Sequence, residues 1–147
     1  MKIRVMTIED YEEVYSLWKA TEGMGLNEMD DSREGIATFL ARNPDTCFVA
    51  EEESKKIVGV IMAGNDGRRA YIYHTAVLAE YRGKGIGSAL LSACTDALTA
   101  QGIHKVALLV FANNENGNAF WEKHGFIKRT DVNYRNKTLI EFAKIDS

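Results

Sequence analysis

The spacing of apolar residues changes several times along the chain, and each spacing predicts one type of element. Alternation over residues 2–6 predicts a strand, and apolar positions at helical spacing follow over residues 11–18 and 32–42. The sequence Asn43-Pro44-Asp45 ends the second helix, because the residue before a proline avoids the helical region. The first third of the chain is therefore predicted to be a strand followed by two helices.

The rest of the chain alternates short apolar runs with two further helical patterns. Runs rich in β-branched residues predict strands over 46–51, 57–64, 71–78 and 106–111, the last with both faces buried. Helices are predicted over 86–100 and 116–123, and two final strands over 126–132 and 138–142. The predicted order is β-α-α-β-β-β-α-β-α-β-β, a mixed α/β (α+β) arrangement in a single domain spanning residues 1–147.

Composition narrows the class of protein. With 147 residues, 46% hydrophobic and 27% charged, the chain is typical of one globular domain. A net charge of −3 argues against a broad nucleic-acid-binding face, and no apolar run approaches the roughly 18 residues of a membrane span. Cys47 and Cys94 have no metal or redox spacing. We expect a cytoplasmic protein with no metal site and no nucleic-acid or membrane partner.

The glycine-rich stretch between the strand predicted over 71–78 and the helix predicted over 86–100 carries the most chemical information. Gly83, Gly85 and Gly87 let a ligand approach the backbone closely. The N–H groups that open the helix have no intrahelical partner, and Arg82 and Lys84 add positive charge. This pattern predicts a phosphate or pyrophosphate site. The alternative is a turn that only lets the helix pack on the strand.

The spacing of these glycines matches neither a Walker motif nor a dinucleotide fingerprint, so a nucleotide-binding module is kept only as an alternative. The segment Arg82-Gly83-Lys84-Gly85-Ile86-Gly87 fits the pattern Arg/Gln-x-x-Gly-x-Gly/Ala. Downstream, Asn113-Asn114-Glu115-Asn116 and Phe120-Trp121-Glu122-Lys123-His124-Gly125-Phe126 fit Asn-x-x-Ala-x-x-Leu-Tyr-Glu-Lys-x-Gly-Phe, with Gly117 at the alanine position. These two segments resemble those of the GNAT superfamily of acetyl-CoA-dependent N-acetyltransferases, and the order of elements agrees over nearly the whole chain.

The resemblance implies a GNAT-like fold, with a central mixed, mostly antiparallel sheet and a splayed fourth strand. It implies acetyl-CoA as co-substrate and direct acetyl transfer to a primary amine. A backbone N–H near Val77 or Leu78 would polarise the acetyl carbonyl, and the pantetheine arm would pair with the strand edge. The implied coenzyme-binding residues are Ala76, Val77, Leu78, Arg82, Gly83, Lys84, Gly85, Ile86, Gly87, Ser88, Asn114 and Trp121.

One residue departs from the family pattern. Trp121 stands where the family often has a tyrosine that serves as general acid, and an indole cannot donate a proton in that way, so the acid is left open. Candidates for the general base are Tyr71, Asp66 and His124 and, above all, Tyr73 and His74 on the strand before the glycine turn. Strand alternation predicts opposite faces for Tyr73 and His74, so at most one should face the acceptor. The structural alternative is that both are core aromatics.

The acceptor amine is not disclosed by the sequence. Nine acidic residues lie between positions 9 and 34, and they either solvate helix faces or meet a cationic ligand. We predict that Glu28, Asp30 and Tyr134 bind an acceptor, and Asp31 and Asp66 are further carboxylates suited to a cationic amine. The acceptor can be a small polyamine, amino acid, aminoglycoside, peptide or protein amine. A non-catalytic acyl-CoA-binding or sensory domain of the same fold is the alternative function. A homodimer is a further expectation from the resemblance.

Overall fold

In the computed structural model, which describes residues 1–145, five strands form one sheet. They are β1 (Lys2–Val5), β2 (Phe48–Glu51), β3 (Ile57–Asn65), β4 (Ala70–Val77) and β5 (Val106–Leu108), and they lie side by side in that order. Neighbours from β1 to β4 run antiparallel, whereas β5 runs parallel to β4. The predicted mixed, mostly antiparallel sheet is confirmed.

Helices cover both faces of this sheet. On one face, α1 (Tyr11–Lys19) and α2 (Arg33–Arg42) bury a core that includes Trp18, Leu26 and Ile36. On the other face, α3 (Ile86–Ala100) and α4 (Glu115–Lys123) contribute Leu90, Cys94 and Phe120 to a second core. None of the helices within residues 1–145 combines the length and the apolar character needed to cross a membrane.

Strand β4 separates from β5 halfway along its length. Only Ala70, Tyr71 and Ile72 pair with β5, while the pairing of β4 with β3 continues to Val77. The second half of β4 therefore has a strand on one side only. This opening is the predicted splay of the fourth strand, and it leaves backbone groups free to bind a ligand.

The end of the chain differs from the prediction. Residues 126–132 and 138–142 form no strand, and the side chains of Ile127 and Leu139 are 84% and 87% exposed. The physical reason is the shortness of β5, which ends at Leu108 and offers an edge of only three residues. Burial of both faces over 106–111 is also wrong, because β5 is the edge strand and Leu109 is 58% exposed.

The chain returns to the body of the protein at residues 143–145. The Glu28 N–H donates to the Ala143 carbonyl oxygen at 3.0 Å, and the Ile145 N–H donates to the Leu26 carbonyl oxygen at 2.9 Å. The Ala143 N–H also donates to Glu28 Oε1 at 3.1 Å. These bonds fix the final segment to the loop that precedes α2.

A cluster of charges joins the first strand to the start of the first helical segment. Arg4 donates to both carboxylate oxygens of Asp10 at 2.8 and 2.9 Å and to Glu51 at 3.0 and 3.2 Å. Asp10 also accepts from the Thr7 N–H at 2.9 Å. Burial raises the pKa of Asp10, but the bonds from Arg4 and Thr7 outweigh burial and hold that pKa below its ordinary value of 3.8.

Asp10→Asn is expected to lower the free energy of unfolding by about 2 kcal/mol near pH 7, because it removes a charged partner of Arg4. The pKa of Asp10 is lower in the folded state, so its stabilising contribution is present above the unfolded pKa and is lost as the pH falls through the folded pKa. Urea unfolding from about pH 7 to about pH 2 should show the gap between wild type and variant closing at the acidic end. A difference in unfolding free energy that stays constant over this pH range would contradict the prediction. Asp45→Asn, on the exposed surface, is the control.

Candidate functional site

A bulge interrupts β4 at the opening of the sheet. Tyr73 pairs with Met62 and Ala76 pairs with Val60, so two residues of β4 lie opposite one residue of β3. The first of them, His74, has a φ of 46°, a left-handed conformation that residues other than glycine adopt uncommonly. Its carbonyl oxygen accepts from Trp18 Nε1–H at 2.9 Å. Backbone strain of this kind persists only where surrounding contacts impose it.

The bulge decides where two candidate catalytic side chains point. The Tyr73 ring packs edge-on to Phe39 of α2 with centroids 5.7 Å apart, and the His74 ring packs edge-on to Trp18 of α1 at 5.1 Å. Their own ring centroids are 6.5 Å apart. The prediction of opposite faces is therefore wrong, because the extra residue of a bulge breaks the alternation and both side chains lie on the α1–α2 side.

Tyr73 and His74 line a cavity of about 950 Å³ that extends from β4 to the end of β5 and the last segment of the chain. Of the predicted acceptor-binding residues, Asp30 and Tyr134 line the same cavity. Glu28 does not line it, because its carboxylate is bound to the Ala143 N–H. A second cavity of about 560 Å³ also contains Asp30, Tyr73 and His74 in its wall.

Tyr73 and Asp66, two of the candidates for the general base, have different surroundings. The pKa of Tyr73 is raised, first by burial and then by the nearby Tyr71, Tyr134 and Asp30, so its phenol keeps the proton near neutral pH. Asp66 accepts from the N–H groups of Arg68 and Arg69, each at 2.8 Å, and these bonds lower its pKa. Asp66 thus holds the β3–β4 turn together.

The backbone of β4 beyond the bulge has one outward-facing residue. The Leu78 N–H donates to the Val58 carbonyl oxygen at 2.9 Å, so Leu78 cannot polarise a ligand carbonyl as predicted. Backbone groups alternate in an antiparallel pair, and Val77 therefore directs its N–H and C=O away from β3, into the opening. The carbonyl oxygen of Val77 accepts from Arg82 Nε at 2.9 Å. Ala76 is buried and pairs with Val60.

The glycine turn opens α3 as an exposed backbone surface. Gly83 and Gly85 have φ values of 77° and 83°, and a Cβ built on either meets no atom within 4 Å. Gly85 caps α3 without any side-chain cap bond, so the N–H groups of Ile86, Gly87 and Ser88 lack an intrahelical partner. The turn therefore presents three amides and the positive end of a helix to the solvent.

The two basic residues of the turn are already oriented. Arg82 is held by the Val77 carbonyl oxygen, and Lys84 Nζ lies 5.3 Å from the centroid of the Tyr81 ring. The Tyr81 hydroxyl donates in turn to Glu52. Both cations belong to the turn that leads directly into the first amides of α3, and their positive charge favours an anion there.

The second motif packs against the first. Asn114 Oδ1 caps α4 by accepting from the Gly117 N–H at 2.9 Å, and a Cβ at Gly117 would lie 2.6 Å from Asn114 Nδ2, which explains the glycine. Trp121 packs edge-on to Phe120 and Phe126 at 4.9 and 5.1 Å. Asn114 and Trp121 both line the larger cavity.

The start of α3 contacts α4 directly. A Cβ at Gly87 would lie 3.1 Å from the Phe120 ring, so a larger residue there would require the ring to shift by a few tenths of an ångström. Ser88 Oγ lies 3.0 Å from His124 Nε2 at the end of α4. This contact engages His124 with α3, and His124 is not among the residues that line the larger cavity.

Asp31 has a place at this site that its sequence does not predict, since in sequence it is only one of several carboxylates suited to a cationic amine. Its carboxylate is buried and lies 2.7 Å from His74 Nε2. In sequence it looks like its neighbours Glu28 and Asp30, which are exposed. Its position directly before Ser32, the residue that caps α2, is the only local signal that distinguishes it.

Comparisons with known proteins agree on one family. The model of the family described as "Acetyltransferase (GNAT) family" matches residues 11–126. Acetyltransferase SG1711 of Sodalis glossinidius is 36% identical over 141 residues, which are 96% of this chain and 97% of that protein. The structure of Ard1 from Thermoplasma volcanium is similar with a TM-score of 0.76 and 25% identity, covering 86% of this chain and 82% of that one.

A further similar structure contains a bound coenzyme. The PaiA N-acetyltransferase of Thermoplasma acidophilum, solved in complex with coenzyme A, has a TM-score of 0.74 at 20% identity and covers 97% of this chain and 96% of that one. At this identity the likeness shows a shared fold.

The left-handed conformation of His74 predicts the order of stability of two variants. His74→Gly should be more stable than His74→Ala by about 1 kcal/mol, because the Cβ of alanine is sterically strained in this conformation and glycine has no Cβ. The same pair at Tyr71, in the regular part of β4, should show the opposite order, since glycine weakens a strand. Urea unfolding measures the stability of both pairs of variants. If His74→Ala were more stable than His74→Gly, this would contradict the left-handed conformation of residue 74.

Proposed function

This chain belongs to the GNAT acetyltransferase family, and we propose that it transfers the acetyl group of acetyl-CoA directly to a primary amine. The observation that carries the proposal is that the free amides of the glycine turn and the outward N–H of Val77 lie at one opening of the sheet. Arg82, which bonds to the Val77 carbonyl oxygen, connects the two. A large cavity on the same side of β4 can receive an acceptor.

The residues at the turn fit a coenzyme A pyrophosphate. Open space beside Gly83 and Gly85 admits a ligand to the backbone, and the N–H groups of residues 86–88 are available as donors. Arg82 and Lys84 would add charge to this cradle. Asn114 and Trp121, in the cavity wall, would contact the part of the coenzyme nearer the acetyl group. When bound, acetyl-CoA supplies an acetyl thioester with a thiolate leaving group.

Direct transfer is favoured over a covalent enzyme intermediate. Cys47 and Cys94 are fully buried, and burial raises the pKa of each thiol to about 12. Thiolate, the nucleophilic form of cysteine, is therefore scarce at both positions near neutral pH. An acetyl-cysteine step has no residue to carry it within residues 1–145.

The amine must lose a proton before it attacks. An alkylamine with a pKa near ~10.4 is neutral in about one molecule in 2,500 at pH 7, which adds roughly 4.6 kcal/mol to the barrier. We assign the base to His74, because an unprotonated imidazole nitrogen can accept a proton and the ring is in the cavity wall. Tyr73 keeps its proton and can serve only as a donor or relay. The Val77 N–H is the donor for the acetyl oxygen.

Acceptor binding is assigned to the wall that Asp30 and Tyr134 share with Tyr73. Asp30 is exposed in the wall of both cavities and provides a counter-charge for an ammonium group. Glu28 takes an indirect part, because it anchors the last segment of the chain beside Asp30. The aromatic rings of the wall offer faces on which a cation can rest.

The donor site is tested by adding negative charge to the glycine turn. Gly85→Asp should weaken coenzyme A binding by at least about tenfold, because a like charge a few ångströms from a phosphate costs on the order of 1–4 kcal/mol. Gly67→Asp is the matched control, since Gly67 also has a positive φ and open space around it but lies in the β3–β4 turn. Calorimetry or thermal shift with acetyl-CoA, coenzyme A, ATP and NAD measures the effect.

Each result of this titration has a defined meaning. Stabilisation by acetyl-CoA and coenzyme A alone supports the donor site and justifies an amine panel with detection of free thiol. Binding without thiol release from any amine would favour the non-catalytic acyl-CoA-binding alternative. An equal shift with ATP would contradict the coenzyme assignment.

The acceptor assignment predicts a change in KM. Asp30→Asn should raise KM for an acceptor with a second, unreacting ammonium group about tenfold with kcat nearly unchanged, because Asp30 attracts that charge in the ground state and the transition state alike. Glu34→Gln, on the exposed side of α2, removes a charge nearby without touching the cavity and should change neither constant. An unaltered KM in Asp30→Asn would exclude this carboxylate from acceptor binding.

A further inference from the structure

Asp31 is a buried carboxylate whose two oxygens both have partners. It is 2% exposed, with Oδ1 at 2.7 Å from His74 Nε2 and Oδ2 accepting from the Asn27 N–H at 2.9 Å. Its carbonyl oxygen accepts from the Tyr11 hydroxyl at 2.7 Å. The carboxylate is therefore fixed through both of its oxygens, and the bond from Tyr11 fixes the backbone of the same residue. A buried charge requires such partners.

The contact between Asp31 and His74 determines which ring nitrogen carries the proton. An ionised carboxylate only accepts hydrogen bonds, so we assign the proton of this contact to Nε2. In a neutral imidazole the other nitrogen, Nδ1, is then a bare acceptor. Among residues 1–145, no protein group bonds to Nδ1. Such an arrangement has the form of a base oriented by a carboxylate.

The ring is also prevented from turning. Trp18 packs edge-on to it at 5.1 Å and donates to the His74 carbonyl oxygen, and the left-handed backbone of the bulge fixes the direction of the side chain. The side chain is 16% exposed and lines both cavities, so an amine or a water molecule can reach it.

We propose that Asp31 is a positioning residue that keeps His74 in the Nε2–H form and so leaves Nδ1 as the proton acceptor for the reaction. In this step one N–H bond of the substrate ammonium breaks and an Nδ1–H bond forms, directly or through one water molecule. The products are a neutral amine and an imidazolium whose charge is balanced by Asp31. The inference rests on the proposed function, since it assigns a role in that reaction.

Asp31→Asn tests the role with little change in shape. The Asn27 N–H still requires an oxygen, so the new amide oxygen turns to Asn27 and the new NH₂ faces Nε2. Nε2 then becomes an acceptor, and the proton moves to Nδ1, where it blocks the base. His74→Asn is the companion variant, because asparagine tolerates the left-handed conformation better than most residues and has no basic nitrogen.

The first measurement is nitrogen NMR of the histidine rings, which needs neither coenzyme nor turnover. The protein has three histidines, and His74→Asn identifies the signal of His74. We expect the Nε2–H form in wild type and in Glu34→Gln, and the Nδ1–H form in Asp31→Asn. An Nδ1–H form in wild type, or no change in a folded Asp31→Asn, would overturn the inference.

The second measurement is steady-state kinetics with an amine that wild type acetylates. Asp31→Asn should lower kcat about 100-fold, within the range that general-base catalysis contributes, with KM for acetyl-CoA unchanged within about twofold. In the His74→Asn background the same substitution should add less than about twofold, because Asp31 acts through His74. An equal loss in both backgrounds would overturn the positioning role.

The two proposals fail in different ways. Wild type that releases no thiol with any amine would overturn the proposed function, and with it the catalytic use of this pair, even if the NMR form is as expected. If wild type turns over but its His74 is in the Nδ1–H form, only the inference about Asp31 would be overturned.

Discussion

The bulge in β4 is the constraint on which the site depends. An extra residue opposite β3 brings the Tyr73 and His74 side chains to one side of the sheet, and it does so just where β5 has left β4. The strained backbone of His74 is held by Trp18 from α1 and by Asp31 from the loop before α2. The first part of the chain thus imposes a geometry that the sheet alone would not adopt.

The parts that sequence reasoning predicted well depend on local signals. The bounds of α3 agree at both ends, because a glycine turn precedes a long apolar stripe and Gly102 follows it. The glycine turn could be interpreted chemically for the same reason: positive φ values, free amides and flanking cations all arise within a few residues. The motif around Asn114 was equally local, and the structure adds the reason for Gly117.

The parts of the structure that sequence reasoning missed depend on contacts between residues that are far apart in the chain. No property of Asp31 in the sequence separates it from Asp30, because its role arises from His74, which lies 43 positions away in the chain. The bulge cannot be predicted from the sequence, since the run from Ala70 to Val77 has the composition of an ordinary strand. The final strands were predicted from alternation alone, but a strand also needs a partner edge, and β5 is too short to supply it.

The return of the chain at residues 143–145 has a consequence for motion. With the rest of the protein folded, these bonds close a loop of roughly 16 residues, at an entropic cost of about 2.5 kcal/mol. The three hydrogen bonds named above contribute about 0.5–1.5 kcal/mol each. These contributions are of the same order as that cost, so the part of the cavity wall formed by residues 134–144 should exchange its amide hydrogens faster than the sheet behind it. The fixed geometry of the bulge therefore faces a cavity wall whose local stability is lower than that of the sheet.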